Sequence, residues 1–288
     1  MPSLRALAQR IEARRPPMPK ARSSRPGFGR KPRSHLIIPD TQVKPGVPID
    51  HFNWIGRYIV ERRPDVIVHL GDHFDLPSLS THADPESMEK EGARLSDDLA
   101  AGTEAIERMM RPLAKARGYR PMKVALTGNH DGRWDRYIEA RKELEGALVR
   151  PMDVWASRGW EVVPFLKPIT IDGVTYCHFF PRGPAGQVTQ GRNGAPSAKA
   201  QVQREMRTCV AGHKQGLDIH VQAAGDRQRW GIIAGSCYLH QEDYLTPQGN
   251  RQWHGVIVLH EVYDGDFDPM LVSLEYLCRR YGRGRWPR

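Results

Sequence analysis

The sequence predicts a layered α/β fold built around parallel strands, and three observations predict it. Short apolar runs alternate with helical stretches through the first half of the chain, the pattern of a βαβα architecture. Four such runs are each followed by ligand-type residues. Leu36-Ile37-Ile38-Pro39 leads to Asp40-Thr41-Gln42, and Val66 to Leu70 leads to Gly71-Asp72-His73-Phe74-Asp75. Val124-Ala125-Leu126 leads to Gly128-Asn129-His130-Asp131, and Cys209-Val210-Ala211 to Gly212-His213. Open α/β sheets build their sites beyond the carboxyl ends of strands, so this placement points to metal-assisted chemistry. Finally, the chain has 288 residues, 39% of them hydrophobic, which is enough for one large core. One core is preferred because the candidate ligands, spread from Asp40 to His213, must converge.

The elements follow in order. Asp50 is the expected N-cap of a helix whose stripe is Trp54, Ile55, Tyr58 and Ile59, ending at Arg63-Pro64. A strand over Val66–Leu70 follows, then a loop at Leu76-Pro77-Ser78-Leu79-Ser80. Leu95, Leu99, Ile106, Met110 and Leu113 fall on one face of a long helix from about Glu89 to Lys115. A strand at 122–127 leads to a helix expected over Asp131–Leu148, and Val154-Trp155 to a further short helix. From Trp160 the texture turns to strands: Glu161–Phe165, Pro168–Ile171, Val174–Phe180, Thr208–Ala211, Ile219–Ala223, Trp230–Ala234, Val256–Val262 and Met270–Leu274. Asp172-Gly173 is a hairpin turn signal. Ser197–Met206 reads as a helix, and the glycine-rich Pro181–Pro196 as a loop long enough for a flap. Trp134 and Trp155 read as core residues.

The formal charge of +10 is unevenly placed. Residues 1–33 hold ten Lys or Arg and one acid, and residues 279–288 hold five Arg and no acid, so the body between them is net acidic. Three segments are expected: a basic, unstructured arm at 1–33, a folded domain at 34–276 and a basic tail at 277–288. The arms suit DNA or RNA, because each cation that neutralises a phosphate releases a counterion; solvated tails without a partner are the alternative. No apolar run reaches the roughly 18 residues of a membrane span. Cys177 and Cys209 lie in apolar runs and read as small buried hydrophobes, and no Cys-x-x-Cys pair occurs. A reducing bacterial or phage-infected cytoplasm fits; the Arg-rich, acid-poor start also fits an organelle transit peptide.

Taken together, Asp40-x-Gln42, Gly71-Asp72-x-x-Asp75, Gly128-Asn129-His130-Asp131, His178 and Gly212-His213-x-Gln215 resemble the calcineurin-like metallophosphoesterases over roughly residues 35–216. The stretch from Gly71 to Ser80 is most similar to members found in phage genomes. The resemblance implies a four-layer αββα sandwich of two mixed sheets flanked by helices. It implies two divalent ions bridged by Asp72 and a hydroxide, one held by Asn129, His178 and His213, the other by Asp40, Gln42 and Gln215. The hydroxide attacks phosphorus in line, and His130 stabilises the transition state or protonates the leaving oxygen. Asp75 is expected to orient the site by hydrogen bonds rather than to bind metal.

Gln42 and Gln215 depart from the family pattern, which has histidine at both places, and both changes fall on one ion. Carboxamide oxygens are harder, weaker donors than imidazole, which favours Mn²⁺, with Mg²⁺ or Fe²⁺ as alternatives, over zinc. Three outcomes stay open: a binuclear Mn²⁺ site, a site whose second ion arrives with substrate, or a decayed site. His51, Asp218 and His220 are spare donors. The expected function is metal-dependent phosphoester hydrolysis, preferably of a phosphodiester and with nucleic acid as the favoured substrate. The competing reading is a degenerate scaffold that binds nucleic acid or protein. Substrate, cleavage mode and oligomeric state are not legible in the sequence.

Overall fold

The structure, a computed structural model, describes residues 31–80, 92–181, 196–225, 227–242, 245–247 and 249–282. The chain divides into two units, Met1–Lys31 and Pro32–Arg288, and the sheets and helices described here belong to the second. The expected arm up to residue 30, the start of the long helix, the flap at 182–195 and the last six residues lie outside the described residues.

The first sheet has strands β1 (Arg33–Ile38), β2 (Val66–His69), β3 (Met122–Leu126), β4 (Glu161–Val163), β10 (Gly255–Tyr263) and β11 (Asp266–Ser273). Its order is β11-β10-β1-β2-β3-β4, parallel from β1 to β4 and antiparallel at β10 and β11. The second sheet has β5 (Ile169–Ile171), β6 (Val174–Cys177), β7 (Cys209–Ala211), β8 (Leu217–Ala224) and β9 (Arg227–Ala234), in the order β5-β6-β7-β9-β8. Its strands β6, β7 and β9 are parallel, with antiparallel edges. Helices α1 (Asp50–Arg62), α2 (Leu95–Lys115), α3 (Arg133–Glu139), α4 (Pro151–Ala156) and α6 (Leu274–Tyr281) contribute to the core on the outer side of the first sheet, and α5 (Ala198–Glu205) to that of the second.

The pleat explains the four layers. Successive strand side chains point to opposite faces, so a continuous apolar run feeds two cores at once. Ile37, Val68, Val124 and Leu126 point inward and meet Tyr176, Val210, Ile232 and Ala234 of the other sheet. Leu36, Ile38, Ile67 and Ala125 point outward against Phe52, Ile55 and Ile59 of α1 and Ile106 and Met109 of α2. Cys177, Cys209, Ala211 and Ile233 face Ala198 and Val202 of α5. Trp134 and Trp155 are buried in the helical layer. Among the described residues no helix is long and apolar enough to cross a membrane.

Several expectations are corrected. Asp50 is the first residue of α1, not its cap; Ile49 takes that position without a side-chain cap, and the Asp50 carboxylate instead sits in the first turn, where the helix dipole favours it. The helix expected over 131–148 ends at Glu139, and Lys142–Leu144 form only a 3₁₀ turn. Trp134 and Ile138 supply a buried stripe, but no residue of the 3₁₀ turn is buried, and short helices need a packed face. The strand at 174–180 stops at Cys177, since His178 turns to bond the Leu70 carbonyl. Position 276 lies inside α6, whose Leu274, Leu277 and Cys278 are buried, so residues 277–281 are helix rather than tail. Arg33 opens β1 opposite Val262. The Asp172-Gly173 turn is as expected, with φ of +49° and +84° joining β5 to β6.

Candidate metal centre

Register brings the candidate residues together. In the first sheet Ile38 pairs with His69 and His69 with Ala125, so the three parallel strands end level. Asp40, Asp72 and Asn129 therefore emerge from neighbouring ends. In the second sheet Cys177 pairs with Ala211, which places His178 beside His213. Packing the sheets face to face sets these two groups against one another.

The loops are sharply turned and tied together. Gln42, Asp72, His213 and Gln215 all have left-handed φ, between +44° and +66°. Such conformations cost non-glycine residues about 1–3 kcal/mol and persist where the surroundings over-determine them. Here the Thr41 and Gln42 amides both donate to the Asp72 carbonyl, at 3.2 and 2.9 Å, and the Gly212 amide donates to the His178 carbonyl at 2.9 Å. Two motif glycines have a steric reason: a β-carbon at Gly128 would lie 2.0 Å from Asp72 Oδ1, and one at Gly212 would lie 2.3 Å from Asp40 Oδ1.

Asp72, His178 and His213 are buried, and each offers a ligand atom within 4.8 Å of the others. Asp72 Oδ2 is 3.4 Å from His178 Nε2. Asn129 Oδ1 is 2.9 Å from His178 Nε2 and 2.8 Å from His213 Nδ1. His178 Nδ1 donates to the Leu70 carbonyl at 2.8 Å, which commits Nε2 to the site. On the other flank, Asp40 Oδ1 accepts the His213 amide at 3.0 Å, and Gln42 Nε2 lies 3.4 Å from Asp72 Oδ2. Among the described residues, buried Asp40 Oδ2 and Gln42 Oε1 have no hydrogen-bond partner. Two buried acceptors without donors are costly in a protein interior, and a cation bound there would relieve both. The donor set of carboxylates, carboxamide oxygens and imidazoles fits divalent metal. Gln215, also buried, has its Oε1 met by the Tyr238 hydroxyl at 3.2 Å.

The electrostatics follow from burial and crowding. Burial pushes the Asp40 carboxyl up to about 7, against the pull of His178. Burial also disfavours charge on Asp72, but His178 and His130 override it and hold the carboxyl well below the usual range. Burial pulls His178 down, but Asp72 outweighs this and lifts the imidazole to about 9. His130 is raised likewise: burial opposes its charge, and Asp72 and Asp75 more than offset it. Its Nε2 lies 3.9 Å from Asp72 Oδ2, while Nδ1 donates to Asp75 Oδ1 at 2.5 Å. Asp75 is thus seated behind His130, and Arg133 donates to its carbonyl at 2.5 Å and its Oδ1 at 3.3 Å.

Sequence reading passed over four residues here. The Asp131 carboxylate accepts four backbone amides, those of Asp72 and Gly128 on Oδ2 and of His73 and Phe74 on Oδ1. It stood inside a quoted motif and was legible as a loop-tying carboxylate. Lys44, Tyr238 and Glu242 carried no local signal. Of the spare donors, Asp218 accepts the Ala198 amide at the start of α5, and His51 is buried within α1.

The sequence profile described as calcineurin-like phosphoesterase matches residues 36–192. No curated protein matches the chain. Similar solved structures include a dimetal phosphatase from Danio rerio, 11% identical, covering 85% of this chain and 97% of its own, with a TM-score of 0.43. Another is Yfce, a phosphoesterase from E. coli, 13% identical, covering 83% and 100%, with a TM-score of 0.37. A third is a predicted phosphoesterase from Streptococcus pneumoniae TIGR4, 12% identical, covering 83% and 97%, with a TM-score of 0.30. The profile match takes in three of the motifs together with His178 and spans more than half of the chain, and by it this chain belongs to the calcineurin-like phosphoesterase family.

Proposed function

We propose that the protein hydrolyses phosphodiesters, with nucleic acid as the preferred substrate. Family membership carries the coarser statement, metal-dependent phosphoester hydrolysis. The single observation that supports an intact site is the convergence of Asp72, His178 and His213 within 4.8 Å. Asn129 would join these three around one divalent ion, and Asp40, Gln42 and Gln215 would hold a second with Asp72 shared. Such ions lower the pKa of coordinated water from 15.7 to about 7 and so supply a nucleophile at neutral pH.

The chain's own groups do the rest. Asp72, His178 and His213 form a buried floor on which the ions would be held. His130 holds a proton between Asp75 and Asp72 and delivers it from Nε2 to the departing ester oxygen. Carboxamide oxygens at 42 and 215 favour Mn²⁺ or Mg²⁺ over zinc on their side. The nucleic-acid preference rests on the basic residues at both ends of the chain. The buried thiols of Cys177, Cys209 and Cys237 accord with a cytoplasmic setting.

The competing reading, a site that binds without turnover, draws on Gln42 and Gln215. One assay separates them. The purified chain is incubated with Mn²⁺ and a dinucleotide phosphodiester, beside Asp72→Asn and His130→Ala. Turnover that disappears in both variants supports the enzyme. Absence of turnover with any divalent metal, together with salt-sensitive DNA retention, supports the binder.

A further inference from the structure

The His130–Asp75 pair does not end at Asp75. Asp75 uses Oδ1 for His130 and Arg133 and presents Oδ2 to Lys44 Nζ at 3.4 Å. Lys44 Nζ in turn donates to Glu242 Oε2 at 2.7 Å. Glu242 Oε1 accepts from His240 Nε2 at 2.6 Å, and the Glu242 amide donates to Asn250 Oδ1 at 2.8 Å. The Asn250 amide group returns a bond to the Glu242 carbonyl at 3.0 Å. The Glu242 side chain is only 1% exposed, although its residue lies in a loop almost 200 positions from Lys44. A buried carboxylate at such a place is costly unless each oxygen is matched, and here both are. The burial therefore marks a position the fold has fixed rather than a surface ion pair.

Geometry says what that fixing accomplishes. The Asp75 carboxylate can rotate about its Cβ–Cγ bond; two ligands on opposite oxygens stop it. With Lys44 on Oδ2 and Arg133 on Oδ1 and on the main-chain carbonyl, Oδ1 is aimed at His130 Nδ1. That aim leaves His130 Nε2 facing Asp72, the direction from which a substrate oxygen would be met. Lys44 Nζ is held between two carboxylates, Asp75 Oδ2 at 3.4 Å and Glu242 Oε2 at 2.7 Å. Without Glu242 the ammonium, 24% exposed, is free to swing into water.

We propose that Lys44 and Glu242 are positioning residues for His130: together they lock Asp75 in the rotamer that aims the imidazole at the leaving group. The reading rests on the proton-donor role given to His130 above. The partner of the reaction it serves is an ester with a poor leaving group, an alkoxide such as a ribose or deoxyribose oxygen, because only such a group needs a delivered proton.

The test uses the full chain and the variants Lys44→Met, Glu242→Gln, Lys44→Arg, Glu242→Asp and His130→Gln. The first readout is the His130 Nδ1–H proton resonance in histidine-¹⁵N-labelled protein with diamagnetic Mg²⁺, assigned by its loss in His130→Gln. The second is kcat and KM with Mn²⁺ on a dinucleotide and on bis-p-nitrophenyl phosphate, with metal content counted in parallel. Lys44→Met and Glu242→Gln are expected to move or broaden the resonance and to lower kcat on the dinucleotide about tenfold, within the range for residues that orient another group. The activated ester should lose less than about twofold, with KM and metal content unchanged. Lys44→Arg and Glu242→Asp should retain most of the signal and the rate. An unmoved resonance in both variants overturns the proposal, as does a loss confined to KM, which would make Lys44 a substrate contact. If the resonance moves while His130→Gln itself loses equally on both esters, the proton-donor role of His130 falls and the positioning by Lys44 and Glu242 stands.

Discussion

The backbone amide of Asp72 donates to Asp131 Oδ2 at 2.8 Å, so a carboxylate from the loop after β3 fixes the left-handed turn after β2. The same oxygen takes the Gly128 amide at 2.8 Å, and its partner oxygen takes those of His73 and Phe74. Asp131→Ala would leave four amides without an acceptor at roughly 1–3 kcal/mol for each one left buried and unsatisfied. We expect a stability loss of about 3 kcal/mol or more in urea unfolding, with reduced metal per chain. Asp131→Asn, which keeps one good acceptor, should fall between.

Gly128→Ala tests the close approach of the two loops. Its β-carbon would sit 2.0 Å from Asp72 Oδ1 and 2.2 Å from the Asp72 amide nitrogen. The loop must move, at about 1–3 kcal/mol. The expected result is a folded protein by circular dichroism that binds less than a full complement of metal. Full metal binding and full rate would show that the loops can part at no cost.

Restoring histidine at Gln42 and Gln215 should shift metal preference. Imidazole is the softer donor, so Gln42→His with Gln215→His should raise zinc affinity relative to Mn²⁺ by about tenfold or more. Competition against a chromophoric chelator and metal counting read this without an activity assay. An unchanged zinc-to-manganese ratio would mean that neither side chain reaches an ion.

His51 gives the chain a share of its acid sensitivity. Burial, with smaller contributions from His240 and other histidines, holds its imidazole down at about 3. The unfolded chain takes up this proton below pH 6.5 and the folded chain does not, so unfolding gains protons and stability falls as pH drops from about 6.5 towards 3. At pH 5 the contribution is about 2 kcal/mol. His51→Met should therefore lose about 2 kcal/mol less than the parent between pH 7 and pH 5, measured by urea unfolding at both values. Parallel losses in the two proteins would show His51 titrating normally.

A cut at residue 30 falls within the first of the two units and leaves β1 whole. Arg33 pairs with Val262 in β1 and bonds Asp172 at 2.7 Å, so a cut after it would damage the sheet. Deleting residues 1–30 should weaken DNA retention and flatten its salt dependence, by a slope of roughly 0.9 for each phosphate no longer neutralised. Hydrolysis of a small ester should not change. A collapse of that rate would make the segment part of the folded unit.

Local order was legible because it is local. The apolar runs of β1, β2, β3 and β7, the Asp172-Gly173 turn and the stripe of α1 follow from pleat, φ preference and helical period over a few residues. Where a boundary depended on what lay opposite, sequence reading missed it. The helix after His130 reads too long because nothing local says that Leu144 is only partly buried. The strand before His178 reads too long because the bond to Leu70, more than 100 residues away, ends it.

The same division holds at the site. Sequence by itself determined which residue types stand at strand ends: Asp40, Asp72, Asn129, His178 and His213, with glutamine at 42 and 215. Only tertiary structure decided that they meet, because convergence depends on parallel register within each sheet and on the packing of one sheet against the other. It alone decided that Asp131 ties the Asp72 loop and that Glu242 reaches Lys44, since a hydrogen bond is set by distance in space and leaves no trace in residue spacing.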